Sequence, residues 1–448
     1  MSTDNRYYDV IIIGCGAAGI AAGIELQEQS SETKFLILEA RHRIGGRAWT
    51  IDSDIFGFPI DLGASWIHHY SPTNPFYRYH QQLKIDEEEI IDFEDHSCCS
   101  LFIDYDGEKI PSNVSYQANR IGENLIELLN DYKEVEINQD KSVEEVIKEK
   151  YDQIKDEQIK RYVDFFLSKL EYYEASNISK LSAKYWNSEN DTIQCNIALK
   201  SGYGNFLTQI ATQLHQLPIQ LDTIVNSIDT NDPIYIYIHT SNSIVYKCKY
   251  VLITVPLGCL KIHTIEFKPQ LPEWKMQAII SMGYGLMNKI VLQFSSNFWG
   301  NNITQIHHAS RDTRGIFRYI ISTPKSNILI LFVVDHFAHE LEELTDQEII
   351  EHVMTFLRKI FPHVTIEQPL KFQISRWSND KFSCGSFSNF PVNANQQTVK
   401  DLARECSEGR LHWAGEHTNY GNSIGCVDSA FESGQREAKK LLKKLNIK

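Results

Sequence analysis

The first forty-seven residues constrain this chain more than any other segment. Asp9-Val10-Ile11-Ile12-Ile13 is a β-branched apolar run leading directly into Gly14-Cys15-Gly16-Ala17-Ala18-Gly19 and an Ala-rich stretch, the order of a strand, a glycine turn and a helix. Lys34-Phe35-Leu36-Ile37-Leu38 reads as a second, parallel strand that ends at Glu39, twenty residues beyond Gly19. That is the spacing of a dinucleotide-binding βαβ unit. Gly14 permits the tight turn, Gly16 lets the backbone approach a pyrophosphate with no Cβ in the way, and Gly19 lets the helix pack on the strand. The helix start then aims free N–H groups at phosphate beside Ala18, while Glu39, followed by Ala40 and Arg41, is placed to accept hydrogen bonds from a ribose diol. A glycine-rich turn entering a helix can be no more than a turn; the strand before it and the acid in register favour the nucleotide.

The segment after Glu39 favours FAD over NAD. Arg43-Ile44-Gly45-Gly46-Arg47 adds a second glycine pair and a guanidinium, which offers planar, bidentate donors to the oxygens of a longer diphosphate. A solvated basic loop would explain the charges and leave the glycines without a reason. From here the chain resembles the flavin-containing amine oxidase family, specifically its polyamine or spermine oxidase branch. The resemblance continues through Asp61-Leu62-Gly63-Ala64-Ser65-Trp66-Ile67-His68, Gly202-Tyr203-Gly204, Val251-Leu252-Ile253-Thr254-Val255-Pro256-Leu257-Gly258, Gly285-Leu286-Met287-Asn288-Lys289-Ile290, Leu411-His412-Trp413-Ala414-Gly415-Glu416-His417-Thr418 and Gly425-Cys426-Val427.

The resemblance implies a fold of mixed α/β and α+β class, in which a discontinuous Rossmann-like FAD-binding domain of GR2 type (1–75, 200–265 and 396–448) is interleaved with a substrate-binding domain of mixed sheet and helices (76–199 and 266–395). Periodicity agrees: apolar residues at Ile121, Leu125, Leu128 and Leu129 read as helix, Pro233-Ile234-Tyr235-Ile236-Tyr237-Ile238 as strand, and a closing helix begins near Val427. Noncovalent FAD is expected against Gly14, Gly16, Ala18, Gly19, Glu39, Ala40, Arg41, Gly46 and Arg47. Further contacts are implied at Gly63, Ala64, Ser65, Trp66, Val225, Trp377, Gly415, Glu416, Cys426 and Val427. The start of the closing helix would stabilise negative charge on the reduced ring. Glu416 would bind the ribityl or pyrophosphate side, the alternative being an ordinary capping or surface acid.

The implied reaction is oxidation of a C–N bond of spermine, spermidine or their N-acetyl derivatives by O2, giving an aldehyde, a shorter amine and H2O2. Three residues are expected to carry it. Lys289 matches the family lysine that holds a water at flavin N5; its alternative is a surface lysine at the start of a strand. His68 matches a histidine placed near the substrate amines, against a structural histidine. Glu171, in Leu170-Glu171-Tyr172-Tyr173-Glu174, falls where some relatives carry an acid lining the tunnel. Glu87-Glu88-Glu89 could guide cations to a mouth, although most charge runs are solvated faces.

The chain departs from the monoamine oxidase pattern. Phe387 supplies one of the two rings that flank the amine there, Cys426 stands where the second would be, and no cysteine aligns with the covalent flavin site, though Cys384 is near. Asp428-Ser429 replaces the usual His-Gly. The pocket is therefore expected to use Phe387, Cys426, His68 and Glu171.

Composition is compatible with these expectations. A chain of 448 residues, 42% hydrophobic and 23% charged, can build two lobes with a substantial core. Its net charge of −14 argues against nucleic acid as the main partner and suits a cationic substrate or simple solubility. Nine cysteines without a C-x-x-C pair fit free thiols better than a disulfide framework or structural zinc. No apolar run approaches the roughly 20 residues that span a bilayer, and the first strand follows Met1 within a few residues, so a cytoplasmic monomer or homodimer without signal peptide is expected. Competing readings are a lysine demethylase-like or monoamine oxidase-like enzyme and a flavin-binding scaffold without turnover.

Overall fold

The computed structural model describes residues 7–85, 90–92, 100–134, 139–186, 196–311, 313–323, 326–420 and 424–445. The Glu87–Glu89 run and the Cys98-Cys99 pair lie outside them. The β-branched run forms β1 (Tyr7–Ile13), followed by α1 (Ala17–Gln29) and β2 (Phe35–Leu38), with Ile11 opposite Leu36 and Ile13 opposite Leu38 in parallel register. The run is continuously apolar because both faces are covered. Val10 and Ile12 join one core with Phe35 and Ile37, while Ile11 and Ile13 join a second with Leu36 and Leu38.

The central sheet runs Glu266–Lys268, Val225–Asp229, Ile236–Thr240, Val245–Ile253, β1, β2 and Ile219–Gln220; Leu411–Trp413 pairs with the far half of Val245–Ile253. Around β1 the pairing is parallel, and Val225–Asp229, Ile236–Thr240 and Val245–Ile253 form an antiparallel meander. The domain division expected after residue 265 falls inside this sheet, since Glu266–Lys268 is one of its strands. The helix Glu273–Ser281 also packs on this side, and the Lys275 ammonium donates to the carbonyls of Asp401, Leu402 and Arg404 at 2.7 Å each. It thereby closes the last turn of the helix Gln396–Ala403.

Helix α1 is buried on all sides along Ala17–Leu26, because the sheet covers one flank and the C-terminal helix Val427–Lys444 the other. Gly434 sets that crossing. A Cβ there would stand 2.0 Å from the Ala18 carbonyl oxygen, so only glycine lets the two backbones meet. This contact aims the start of the C-terminal helix toward the glycine turn.

A second sheet, in the order Lys371–Ile374, Met287–Gln293, Ile328–Val334, Tyr319–Thr323, Gln305–Ala309 and Ser100–Asp104, is antiparallel except at its last pair. The helices Ser112–Glu134, Val143–Asp152 and Glu157–Glu174 share a core of their own. Their starts are well defined. Ser142 and Glu145 form a reciprocal capping box, and the Asp156 carboxylate accepts from the N–H groups of Gln158 and Ile159. Among the described residues no helix is long and apolar enough to cross a membrane.

Candidate active site

A cavity of about 740 Å3 extends from the glycine turn after β1, past Arg47, to Lys289, Trp66 and the start of the C-terminal helix, within the range of enclosed ligand sites. The glycines along it are not equivalent. Gly14 has φ +105, and a Cβ on it would lie 2.6 Å from the Thr254 hydroxyl; one on Gly19 would lie 2.0 Å from the Gly14 carbonyl; one on Gly63 would lie 1.8 Å from the Arg47 carbonyl. These three are demanded by packing. At Gly16 the nearest atom to such a Cβ is the Gly45 carbonyl at 3.9 Å, so its bare backbone faces the cavity. That is the cradle a diphosphate needs. Gly19, expected among the cofactor residues, does not line the cavity and acts through helix packing.

Charged groups at this end are already oriented by the protein. The Glu39 carboxylate accepts from the N–H of Cys15 at 2.7 Å and of Arg41 at 2.9 Å, which holds it at the end of β2. Arg41 donates both guanidinium arms to Asp380, at 2.8 and 2.6 Å. Arg47 donates to the Ser386 carbonyl at 2.7 Å and to Glu416 at 2.9 Å. Burial by itself would raise the Glu416 carboxyl, but Arg47, His417 and the Ser388 hydroxyl together outweigh that and hold its pKa below the usual value. Glu416 also accepts from the Ser388 hydroxyl and from the N–H of Gly425. It is 3% exposed, so it is neither a surface acid nor free to act alone; it locks Arg47 to the loop that enters the C-terminal helix. At that helix start Cys426, Val427 and Ala430 face the cavity, and Asp428 turns its carboxylate back onto the N–H of Ser429 at 3.0 Å.

Lys289 lies inside the strand Met287–Gln293 and is buried. Its ammonium donates to the carbonyls of Asp61 and Gly63 at 2.8 and 2.6 Å and to the Ser65 hydroxyl at 2.5 Å, using all three protons. Burial lowers its pKa from 10.5 to about 8, with Asp61 opposing. Trp66 stacks on Phe332 at 5.8 Å, and the ammonium lies 5.7 and 5.4 Å from these two ring centres. Trp377 donates from its indole to the Leu62 carbonyl at 3.3 Å, holding the same segment from the other side. His68 lines the cavity with one ring nitrogen 2.8 Å from the Asn196 side-chain oxygen.

The cavity gathers Gly14, Gly16, Ala18, Glu39, Ala40, Arg41, Gly46, Arg47, Gly63, Ala64, Ser65, Trp66, His68, Val225, Lys289, Trp377, Phe387, Gly415, Glu416, Cys426 and Val427 into one wall. Glu171 is not part of it. Its carboxylate points away from the cavity, 3.6 Å from the Arg314 guanidinium and accepting from the N–H of Ile178 at 3.3 Å; burial raises its pKa to about 7 against the pull of Arg314.

The reason is helical register. Phe166, Lys169, Leu170, Tyr173 and Glu174, spaced three and four apart, face the cavity, whereas Glu171 shares the opposite stripe with Asp164 and Ser168. The acid lining the far end is therefore Glu174, in company with Tyr172 and Trp186. The Tyr172 hydroxyl and the Trp186 indole N–H have no hydrogen-bond partner among the described residues. The 3.6-residue period of Glu157–Glu174 sets the two acids at different angles around the helix, and the packing against Arg314 decides which of them meets the cavity.

The protein has relatives along nearly its whole length. It is 29% identical over 442 residues to "Polyamine oxidase 5" of Oryza sativa subsp. japonica, covering 95% of this chain and 86% of that protein. It is 30% identical over 455 residues to "Lysine-specific histone demethylase 1 homolog 1" of Arabidopsis thaliana, covering 97% of this chain but only 52% of the relative. In fold it matches a redesigned putrescine oxidase double mutant with a TM-score of 0.74 at 17% identity, over 98% of this chain and 99% of the other. The family description "Flavin containing amine oxidoreductase" matches residues 17–442, and the chain belongs to that family.

Proposed function

We propose that this flavin amine oxidoreductase is a polyamine oxidase that binds FAD noncovalently and uses O2 to oxidise a C–N bond of spermine, spermidine or their N-acetyl derivatives. The observation that carries the reading is the single cavity joining the open backbone of Gly16 to the buried Lys289 and on to an aromatic chamber bearing Glu174. Bound FAD would supply the acceptor for the hydride that leaves the carbon beside the amine nitrogen. Gly16 and the start of α1 would hold the diphosphate, Glu39 the ribose, and the N–H groups opening the C-terminal helix the electron-rich edge of the ring. Noncovalent retention is supported by Cys384, whose thiol donates to the Lys381 carbonyl and does not line the cavity.

The protein side of the chemistry is proton control and cation recognition. Lys289, its pKa lowered to about 8, can release a proton close to neutral pH; the neutral amine then keeps two of its three acceptors and offers a lone pair to a donor. Glu174 would bind a remote ammonium, and Tyr172, Tyr173 and Trp186 offer ring faces to the chain between charges. His68, oriented by Asn196 and lining the cavity, would meet a substrate nitrogen. A demethylase reading is favoured by the 30% identity to a histone demethylase homologue, of which this chain spans about half.

Spermine added to the flavin-loaded protein without oxygen should bleach the flavin within seconds, and mass analysis after air is admitted should give an aldehyde and a shorter amine. Bleaching by a methyl-lysine peptide in place of polyamines would support the demethylase, and persistent yellow colour with every amine would point to a scaffold.

A further inference from the structure

The three acceptors around the Lys289 ammonium are not alike. The carbonyls of Asp61 and Gly63 accept from it at 2.8 and 2.6 Å, and a carbonyl oxygen has no hydrogen to give back. The third acceptor, the Ser65 hydroxyl at 2.5 Å, is a donor as well. Among the described residues its own proton finds only the Gly63 carbonyl, at 3.4 Å, beyond the usual length of an O–H···O bond. Ser65 also lines the cavity, so that proton is free to turn toward it.

Other ways out of the ammonium are closed. Trp66 and Phe332 flank it, with ring centres 5.7 and 5.4 Å away, and neither side chain carries a group that both accepts and donates a proton. The Asp61 carboxylate, whose charge acts on Lys289, is turned elsewhere: it accepts from the Thr50 hydroxyl at 2.5 Å and from the Tyr203 N–H at 3.0 and 3.1 Å. With three protons donated and the fourth valence on carbon, the nitrogen has no direction left for a water. Neutral Lys289 keeps two N–H bonds, which match the two carbonyls. Its lone pair then faces Ser65, the one acceptor of the three that can reverse and donate.

We propose that Ser65 is the proton relay between Lys289 and the cavity, a positioning residue through which the buried lysine gains and loses its charge. In the outward direction the Ser65 hydroxyl gives its proton to a water in the cavity while one Nζ–H bond of Lys289 breaks. The lysine proton completes the hydroxyl again, which now donates to the Nζ lone pair. One proton leaves the ammonium, one reaches water as hydronium, and the serine is unchanged; uptake runs through the same bonds in reverse. That this proton serves C–N oxidation rests on the oxidase reading, whereas its passage through Ser65 does not.

The test measures how fast the Lys289 ammonium exchanges its protons with water, by heteronuclear NMR of the flavin-loaded full chain with isotope-labelled lysine, below the pH of about 8 at which the amine loses its charge. Its signal is the one missing from Lys289→Met. Ser65→Ala should slow this exchange at least roughly tenfold, with melting and flavin spectrum unchanged, and Ser65→Thr, which keeps the hydroxyl, should restore it. Losing a merely structural contact would loosen the ammonium and speed the exchange, so the two roles move the rate in opposite directions. Exchange in Ser65→Ala as fast as in wild type, or faster, would overturn the proposal. If Ser65→Ala fails to fold, Ser65→Cys carries the same comparison, because a thiol donates and accepts only weakly. Slowed exchange in a protein whose flavin spermine does not bleach would leave the relay standing and end the oxidase reading. Bleaching of the wild type with unaltered exchange in Ser65→Ala would end the relay alone.

Discussion

Replacing Lys289 with methionine separates the cost of burying a charge from the use made of it. The fall in pKa from 10.5 to about 8 corresponds to about 3 kcal/mol by which the folded protein disfavours the protonated amine relative to the unfolded chain. The unfolded chain keeps its proton up to 10.5 and the folded one releases it from about 8, so the penalty is full below about pH 8 and is relieved as pH rises toward 10.5. Methionine keeps much of the stem and carries no charge, but leaves the Asp61 and Gly63 carbonyls and the Ser65 hydroxyl without their donors, at about 1 kcal/mol each. The two effects are similar in size and opposite in sign. Lys289→Met should therefore change stability at pH 7 by no more than about 2 kcal/mol, while turnover falls at least roughly tenfold, about 1.4 kcal/mol of barrier. Urea unfolding at pH 7, 8 and 9, paired with stopped-flow flavin reduction, measures both. The wild type should gain stability relative to the variant as pH rises through this interval. A variant that loses several kcal/mol yet turns over normally, or that shows the same pH slope as wild type, would make Lys289 a structural residue and refute the reasoning.

Three further outcomes are expected. Gly434→Ala places a methyl 2.0 Å from the Ala18 carbonyl, which should cost about 1–3 kcal/mol and weaken flavin binding by shifting the helix start; unchanged melting and flavin content would contradict the crossing described. Gly16→Val meets no atom nearer than 3.9 Å at its Cβ, so circular dichroism and melting should match wild type while the purified protein is colourless. Glu174→Gln should raise KM for spermine about tenfold, roughly 1.4 kcal/mol, with kcat retained, and Glu171→Gln should leave KM within about a factor of two; the reverse pattern in steady-state kinetics would restore Glu171 to the substrate path.

The βαβ unit at the start of the chain was legible in the sequence because its determinants are local. A strand, a glycine turn, a helix and an acid in register lie within one short segment, and sterics at Gly14 and Gly19 leave few alternatives. The order of later blocks was legible by resemblance. What could not be read was any property that depends on which way a side chain faces after distant segments meet. Glu171 and Glu174 are three residues apart and chemically equivalent, and only the packing of Glu157–Glu174 against Arg314 on one side and the cavity on the other separates them.

Tertiary structure likewise decided what Lys289 and Glu416 do. Lys289 gathers acceptors from a segment more than two hundred residues earlier, and Glu416 is committed to Arg47, Ser388 and Gly425. The edge strand Glu266–Lys268 joins the central sheet through backbone pairing that no apolar pattern announces. The helix Leu257–Lys261 meets the Ser383-Cys384 backbone because Gly258 carries no Cβ, which would lie 2.6 Å from both carbonyl oxygens. Covalent sequence thus determined the local turns, where steric exclusion acts between neighbours; the burial, pairing and charge state of the site arose only when remote surfaces closed on one another and excluded water.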